Sequence, residues 1–297
     1  MKRSDSIAII LAFNEEKNIE KVVDDFYPYF SKLIIVDDGS TDSTSSILQK
    51  LNYSDIVLIK NEKNLGIGGA FKKGLRKALT FNSKWIFKID GDGQMKSDDL
   101  INFFNHMDST NSEYIKGNRF TNNITNSSMP KYRVLGNYLS TLLNKISSGY
   151  WKIYDSNNGF LAIKSDVIKL FRMEKLKNNY FLENSLLVEA NINNIRVSEI
   201  PTNTIYEDEV SSIPIIKVVV TLLPTFIVFF YSRMFYKYFY SFSFTFIIFV
   251  IFNISTLFFL LNLVQTGLFS NSLMLSSLIS IVAVLFLDIK NTSESMH

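Results

Sequence analysis

The sequence predicts an α/β domain with a mostly parallel central sheet, followed by apolar helices that lie at or cross a membrane. Three observations support this prediction. Apolar β-type runs alternate with amphipathic helical runs, polar turns follow the strands, and charge disappears from two long segments near the C-terminus. Alternating strands and helices favour a parallel sheet with helices on both faces. Ligands of such sheets bind beyond the carboxyl ends of the strands.

The strands and helices of this domain follow one another with short connections. Apolar β-type runs predict strands at residues 7–11, 33–36, 55–59, 85–89, 114–116 and 160–163. Helical spacing of apolar residues predicts helices at residues 15–30, 41–51, 68–81 and 181–191. Asn14, Ser40 or Thr41, and Ser97 are candidate N-caps, because short polar side chains accept hydrogen bonds from the first backbone N–H groups of a helix.

Composition excludes several classes of site. The 297 residues allow one sizeable domain with an appendage, and a net charge of +3 is too small to argue for nucleic acid as a partner. The absence of cysteine excludes disulfides, thiolate catalysis and zinc–thiolate sites, and two histidines argue against imidazole-centred catalysis. No signal-peptide pattern follows the first six residues, so we expect the N-terminal portion in the cytoplasm.

Two segments near the C-terminus, residues 241–264 and 268–287, are apolar and free of charged side chains. Each is long enough to cross the hydrocarbon core of a bilayer, which needs about 20 helical residues. Buried core helices explain them less well, because neither segment has a polar face. We therefore predict that residues 239–297 form two transmembrane helices and a short cytoplasmic tail.

The apolar segment from Ile215 to Phe235 is harder to place. Pro224 interrupts it, and Arg233 and Lys237 lie near its end. With two crossings both basic residues stay in the cytoplasm, as the positive-inside rule favours. We therefore predict that residues 213–238 form a helix in the membrane interface. Three crossings remain the alternative, because hydropathy alone favours them.

The segment Ile89-Asp90-Gly91-Asp92 ends an apolar strand with two aspartates separated by one glycine. Carboxylates at this spacing, at the carboxyl end of a parallel strand, can hold a hard divalent cation against a diphosphate. A solvated Asp-Gly turn is the alternative. A calcium loop is excluded, because Met95 stands at its glycine position and Ile101 at its closing glutamate position.

Seven short motifs along the chain, taken together in their order and spacing, resemble the family 2 glycosyltransferases with the GT-A nucleotide-binding fold. The membrane-anchored polyprenyl-phosphate sugar transferases, including dolichyl-phosphate mannose synthase, are the most similar group. The matching segments are residues 13–16, 36–42, 64–70, 90–94, 117–120, 155–160 and 200–201. The resemblance implies a cytoplasmic GT-A domain over residues 1–212.

The resemblance also implies which residues bind the nucleotide sugar. Phe13 and Glu15 at the end of the first strand, with Asp38 after the second, would cradle the base and ribose. Leu11 occupies the position at which the family usually has proline. The residues assigned to the nucleotide-sugar site are Leu11, Phe13, Glu15, Asp37, Asp38, Gly66, Gly68, Gln94 and Arg119. For Asp37 and Asp38, a turn that caps the next helix is an alternative that can coexist with this role.

In this family Asp90 and Asp92 would bind Mg²⁺ or Mn²⁺ across the diphosphate and so neutralise the leaving nucleoside diphosphate. Gln94 would help to orient the metal site. Arg119 would contact the phosphates, because a guanidinium makes paired contacts with phosphate oxygens. A solvated surface arginine is the alternative for Arg119.

Glu183 matches a position at which relatives place an acidic residue near the acceptor. If the acceptor is a sugar hydroxyl, Glu183 would be the general base. If the acceptor is a lipid phosphate, its oxygen is already anionic and Glu183 would only position groups; a residue on the polar face of a helix is the third interpretation. Residues 205–212 lack the basic residues of the mannose-synthase type, which leaves the sugar and acceptor open.

The resemblance implies an inverting transferase at the cytoplasmic membrane face, moving a hexose from a UDP- or GDP-linked donor to a polyprenyl phosphate. Its partners would be the nucleotide-diphosphate sugar, the lipid acceptor, the bilayer and, through the membrane helices, further copies of the chain. Transfer to a sugar hydroxyl of a lipid-linked glycan is one alternative. A non-catalytic nucleotide-sugar-binding scaffold is another, although the intact Asp90–Asp92 motif argues against it.

Overall fold

The computed structural model of the chain describes residues 3–121, 131–203, 215–239, 243–266 and 271–295. Residues 205–212, which depart from the mannose-synthase pattern, lie outside this part.

The described residues contain a sheet of seven strands in the order β3-β2-β1-β4-β6-β5-β7. The strands are β1 Arg3–Ala12, β2 Phe30–Asp37, β3 Ile56–Lys60, β4 Trp85–Asp90, β5 Tyr114–Asn118, β6 Leu161–Lys164 and β7 Val197–Pro201. All neighbours are parallel except the two pairs that β6 makes with β4 and β5. The mostly parallel sheet predicted from the alternating pattern is therefore confirmed, and β7 is a strand that the pattern did not reveal.

Helices cover both faces of this sheet. The helices of the described part of the chain are α1 Ile19–Phe26, α2 Thr44–Lys50, α3 Ile67–Ala78, α4 Leu100–Ser109, α5 Lys131–Ser148, α6 Ser165–Ile168, α7 Leu182–Ile192, α8 Ile215–Tyr238, α9 Phe244–Thr266 and α10 Asn271–Ser295. Alternate side chains of β1 point to opposite faces, as the pleat requires. Ile7, Ile9 and Leu11 pack with α3 and α7. Ala8 and Ile10 pack with α1 and α4 on the other face.

The first helix is shorter than predicted. We expected it at residues 15–30 with Asn14 as a candidate N-cap, but α1 begins after Asn18. Asn14 has a positive φ of 57°, and its Oδ1 accepts a hydrogen bond from Thr41 N at 2.8 Å. Asn14 therefore joins two loops at the sheet edge instead of capping the helix. At the other end Pro28 stands in a 3₁₀ turn, and Phe30 is the buried first residue of β2.

Two helices among the described residues are long and apolar enough to cross a membrane: Phe244–Gln265 and Asn271–Ser293. They form an antiparallel pair, since Ser255 meets Ser276 through their hydroxyl oxygens at 2.8 Å and Asn291 donates to Thr245 Oγ1 at 3.0 Å. Their outer surfaces are largely exposed and apolar. These bounds agree closely with the two apolar segments found in the sequence.

Helix α8 connects the α/β domain to this pair. Phe226 and Phe229 of α8 pack against Phe181 and Val188 at α7. The opposite face of α8 exposes Leu223, Ile227, Val228, Tyr231 and Phe235, each at least 40% accessible. One face of α8 is thus fixed to the α/β domain, and the other is an apolar surface.

Candidate active site

The carboxyl ends of β1, β2 and β4 meet at one edge of the sheet. Leu11 pairs with Val36 on one side and with Asp90 on the other. The turn after β4 is tied back to β1, because Gly91 N donates to Leu11 O at 2.8 Å. The structure therefore brings the predicted nucleotide and metal residues of three strands to one edge.

Asp37 and Asp38, at the end of β2, are both buried and hydrogen-bonded within the domain. Asp37 accepts from Ser40 N at 2.9 Å and from the Ser45 hydroxyl. Asp38 accepts from Asn61 Nδ2 at 2.7 Å and from Leu65 N at 3.0 Å. Both carboxylates shape the loops of the site, so the turn interpretation holds, and their contact with a nucleotide stays a prediction.

Gly66 and Gly68 were expected to let the backbone approach the nucleotide closely. In the structure, the backbone at these glycines lies against the loop that contains Lys177 and Asn178. Gly66 has a positive φ of 77°, which favours glycine. Gly68 N donates to Asn178 O at 2.9 Å, and a Cβ at Gly68 would collide with Lys177 O. These glycines fix the loop before α7 against the start of α3, and their contact with a nucleotide stays a prediction.

A polar cleft of about 450 Å³ opens beside the turn after β4. Glu15, Asp92 and Gln94 line it together with Asn18 and Lys21. Gln94 N donates to Asp92 Oδ1 at 3.0 Å, which orders the turn that carries Asp92. Phe13, which is 42% accessible, leaves an aromatic surface available at the same edge.

Asp90 is held from inside the domain by a lysine that the sequence analysis did not assign. The side chain of Lys88 on β4 has no solvent exposure. Its Nζ lies 2.6 Å from Asp90 Oδ1 and 3.1 Å from Glu183 Oε1. Burial alone would lower the pKa of Lys88, but the negative charges of Asp90 and Glu183 outweigh burial and raise the pKa above its ordinary value.

Glu183 lies in the first turn of α7 and is buried, with only 4% of its surface accessible. Lys88 on β4 contacts both the Glu183 carboxylate and the Asp90 carboxylate, and so links α7 to the end of β4. The sequence predicted that Glu183 and Asp90 belong to one site, and the structure places them on either side of the same ammonium group.

Arg119, predicted to contact phosphates, makes a paired ion contact with Asp155. Its Nε and Nη2 donate to the two carboxylate oxygens of Asp155 at 2.7 and 2.8 Å. Asp155 is 1% accessible, whereas the Arg119 side chain is 23% accessible. The pair positions a partly exposed guanidinium at the end of β5, and a phosphate contact by Arg119 stays a prediction.

A second buried lysine, Lys116 on β5, lies near this pair. Its Nζ donates to Asn158 O at 2.8 Å. Burial lowers the pKa of Lys116 to about 8, although nearby acidic groups such as Glu183 and Asp155 oppose the effect. Lys88 and Lys116 are each a single basic residue inside a predicted strand. A lysine is rarely buried unless it is paired. A lone lysine within an apolar strand is therefore the sequence signal that could have revealed these two buried residues.

Residues 7–176, more than half of the chain, match the family model described as Glycosyl transferase family 2. The chain belongs to glycosyltransferase family 2. The resemblance identified from the seven motifs is thereby confirmed, and the transferase is an enzyme of this family.

Individual relatives agree with this assignment. The UDP-N-acetylglucosamine–dolichyl-phosphate N-acetylglucosaminyltransferase of Methanococcus voltae is 30% identical over 215 residues, which cover 67% of this chain and 85% of that protein. A dolichyl-phosphate beta-glucosyltransferase of Trichomonas vaginalis is 26% identical over 212 residues, which cover 65% of this chain and 63% of that protein.

Among solved structures, glucosyl-3-phosphoglycerate synthase from Mycobacterium tuberculosis in complex with Mn²⁺ and UDP-glucose is similar to the transferase with a TM-score of 0.57. The alignment has 16% identity and covers 77% of this chain and 79% of that one. At this identity the likeness shows the fold alone. The GT-A-like fold predicted from the sequence is confirmed.

The donor set of the transferase fits a cation that is shared with the substrate. Within the described ranges, no group of three or more acidic or histidine side chains could hold a metal ion by itself. Asp90 and Asp92 supply hard carboxylate oxygens at one turn, which leaves coordination positions for diphosphate oxygens and water. Mg²⁺ and Mn²⁺ sites of nucleotide enzymes are built in this way, with one or two carboxylates and the substrate phosphates.

Proposed function

We propose that the transferase moves a sugar from a nucleotide-diphosphate sugar to a polyprenyl phosphate at the membrane surface. The packing of α7 on α8 carries this proposal. Glu183 is on α7, and the aromatic contacts of Phe181 with Phe226 and Phe229 join α7 directly to a helix with an apolar outer face. Because the site is joined in this way to an apolar helix, it can receive the phosphate of an acceptor whose isoprenoid chain stays in the bilayer. The name of the Methanococcus voltae relative, with a dolichyl-phosphate acceptor, supports the same class.

We assign the donor to the carboxyl edge of β1, β2 and β4. Phe13, Glu15 and Asp38 would lie beside the base and ribose, and Arg119 and Gln94 beside the phosphates. Asp90 and Asp92 would hold Mg²⁺ or Mn²⁺ there. When bound, the cation neutralises the charge of the departing nucleoside diphosphate. The UDP in the name of one relative favours a UDP-linked donor over a GDP-linked one.

The reaction would be a single displacement with inversion. An oxygen of the acceptor phosphate forms a bond to the anomeric carbon of a hexose while the bond from that carbon to the diphosphate oxygen breaks. The attacking phosphate oxygen carries negative charge at neutral pH, so no side chain has to remove a proton from it. The ion pair of Glu183 with buried Lys88 is consistent with an acceptor of this kind.

We propose a cytoplasmic catalytic domain over residues 1–212, an interfacial helix over residues 213–238, and a membrane hairpin formed by α9 and α10. Asp288 near the end of α10 meets Arg233 of α8 at 2.6 Å. Arg233 in turn donates to Ser147 O at the end of α5. The end of the hairpin therefore returns to the catalytic domain, which favours two crossings over three.

The absence of cysteine makes this arrangement easy to test. A single cysteine introduced by Ser272→Cys, at the turn of the hairpin, should react with an impermeant thiol reagent only from outside the cell. A cysteine introduced by Ser293→Cys should react only from the cytoplasm. Three crossings would reverse both results. Self-association through the exposed faces of α9 and α10 would appear as a dimeric or larger mass in light scattering of the detergent-solubilised protein.

Transfer is tested by incubating purified protein with labelled UDP-N-acetylglucosamine, UDP-glucose or GDP-mannose, Mn²⁺ or Mg²⁺, and undecaprenyl phosphate. We expect label in the lipid phosphate with one donor. If only an acceptor with a free sugar hydroxyl on a lipid-linked glycan takes up label, the acceptor class is wrong and Glu183 becomes the candidate base. Label in neither acceptor, with any donor, would contradict both.

A further inference from the structure

The ammonium group of Lys88 has three donors, and each has an acceptor inside the domain. Its Nζ lies 2.6 Å from Asp90 Oδ1, 3.1 Å from Glu183 Oε1 and 3.4 Å from Gly159 O. A lysine carries three N–H groups, so these three contacts account for all of them. A charge buried without exposure is tolerated only with such partners. The three contacts tie β4, the loop before β6 and α7 to one point.

Gly159 closes this arrangement from the side of β6. A Cβ at this position would collide with Asp90 Oδ2 and would lie 2.6 Å from Lys88 Nζ. No side chain larger than glycine fits there unless the carboxylate or the ammonium moves. The missing side chain of Gly159 therefore leaves the space that Asp90 Oδ2 occupies, while Lys88 holds Asp90 Oδ1.

Glu183 contacts this arrangement through Lys88. The Glu183 side chain is 5% accessible, and its Oε1 lies 3.1 Å from the ammonium nitrogen of Lys88. Asp90, in contrast, keeps 22% of its side chain accessible. Of the two carboxylates that share Lys88, Asp90 is the one open to a ligand, and Glu183 is the one enclosed by the domain.

We propose that Lys88 is a positioning residue that fixes the Asp90 carboxylate for the cation–nucleotide complex, and that Glu183 acts on the reaction through Lys88. The proposal rests on the proposed function, in which Asp90 is a ligand of the cation. It gives Glu183 a role that a general base would not have. Removal of Glu183 matters only while Lys88 is present.

The first measurement is Mn²⁺ binding in the presence of UDP, and in a second series GDP, followed by the electron paramagnetic resonance signal of free Mn²⁺. Removal of a positive charge beside Asp90 would by itself tighten Mn²⁺ binding. Loss of positioning predicts the opposite. We expect Lys88→Met to weaken Mn²⁺ binding about 10-fold to 100-fold, as for other groups that orient metal ligands. Tighter binding would show that Lys88 only competes with the cation.

Lys116→Met is the matched control, because it also removes a fully buried lysine from a strand of the same sheet. We expect it to lower the melting temperature but to leave Mn²⁺ binding within about twofold of the wild type. Equal weakening in both variants would mean that any buried lysine of this sheet has the same effect, and would overturn the specific role of Lys88.

The second measurement is a double-mutant cycle on turnover. Glu183→Gln should lower kcat about tenfold in the wild-type background and by less than about twofold in the Lys88→Met background. A general base would contribute about 100-fold or more in both backgrounds. If Glu183→Gln lowers kcat by the same factor in the wild-type and Lys88→Met backgrounds, the proposal is overturned.

Lys88→Met alone leaves Glu183 buried without its partner and can prevent folding. The variant with both Lys88→Met and Glu183→Gln removes the two charges together, and its Mn²⁺ binding should be as weak as that expected for Lys88→Met. If the wild type fails to bind Mn²⁺ both in the presence of UDP and in the presence of GDP, the metal role in the proposed function fails. This proposal then fails with it. If the wild type binds and the variants do not follow the stated pattern, only this proposal fails.

Discussion

Two fully buried basic side chains hold carboxylates in different regions of the transferase. Lys88 holds Asp90 at the carboxyl edge of the sheet, and Arg233 holds Asp288 where the α/β domain meets the apolar helices α9 and α10. Asp90 keeps 22% of its side chain accessible, whereas Asp288 keeps 1%. The first cluster can therefore receive a ligand, and the second is closed to one.

The closed cluster has the contacts of a joint between elements. Arg233 donates to Ser147 O at 2.7 Å and to Ile146 O at 2.9 Å, both at the end of α5. Tyr238 donates to Asp288 Oδ1 at 2.6 Å. An arginine and an aspartate next to apolar helices would be costly if either lacked its partner. In these two clusters, the exposure of the carboxylate separates a pair that can bind a ligand from a pair that holds elements together.

The largest expected effect is in the open cluster. Asp92→Asn should lower turnover about 1000-fold, because the proposed cation would lose one of its two carboxylates and the leaving diphosphate would lose its compensating charge. Folding should be unchanged in circular dichroism and melting temperature. Asp166→Asn is the control, since Asp166 is an exposed carboxylate on α6. Normal turnover in Asp92→Asn would remove the basis of the metal assignment.

The next effect is in the closed cluster, and it should fall on stability. Arg233→Met should lower the free energy of unfolding by about 3–5 kcal/mol, because Asp288 is left buried and charged without its partner. Arg233→Met combined with Asp288→Leu should recover most of this loss. Thermal unfolding in detergent measures both. If the single variant is as stable as the wild type, the closed cluster does not hold the joint.

Substitution of Arg119 tests whether the partly exposed Arg119–Asp155 pair contacts the donor or only stabilises the fold. Arg119→Lys removes the paired contact with Asp155, so the melting temperature should fall in either case. If Arg119 contacts the diphosphate, the KM for the donor should also rise about tenfold. Arg196→Lys, which changes a more exposed pair with Glu113, is the control. A lower melting temperature with an unchanged KM for the donor would show that Arg119 only stabilises the fold.

The smallest effect concerns pH and the two lysines of the sheet. The folded pKa of Lys116 is lowered to about 8, so between pH 8 and about 10.4 the unfolded chain binds more protons and stability rises with pH. The part of this rise that Lys116 contributes between pH 8 and pH 9.5 should be about 1.5 kcal/mol. The pKa of Lys88 is raised, so its contribution is present below about pH 10.4 and is lost only above it. Lys116→Met should therefore reduce the rise by about this amount, as measured by thermal unfolding across this range.

Much of the fold could be predicted because it depends on local patterns. The strands that end at Leu11, Val36 and Ile89 are short apolar runs followed by polar turns, and the parallel arrangement follows from their alternation with helices. Helix α5 and strand β7 were not found. Strand β7 is defined by its pairing with β5, which lies far away in the chain.

The sequence by itself determined the family, the edge of the sheet at which Asp90 and Asp92 lie, and the two apolar helices, because each depends on residues that are neighbours in the chain. Only the tertiary structure decided that Lys88 joins Asp90 to Glu183 and that Arg233 joins the α/β domain to Asp288. The physical reason is that a buried charge is stable only beside its partner, and here the partners come from elements that folding alone brings together.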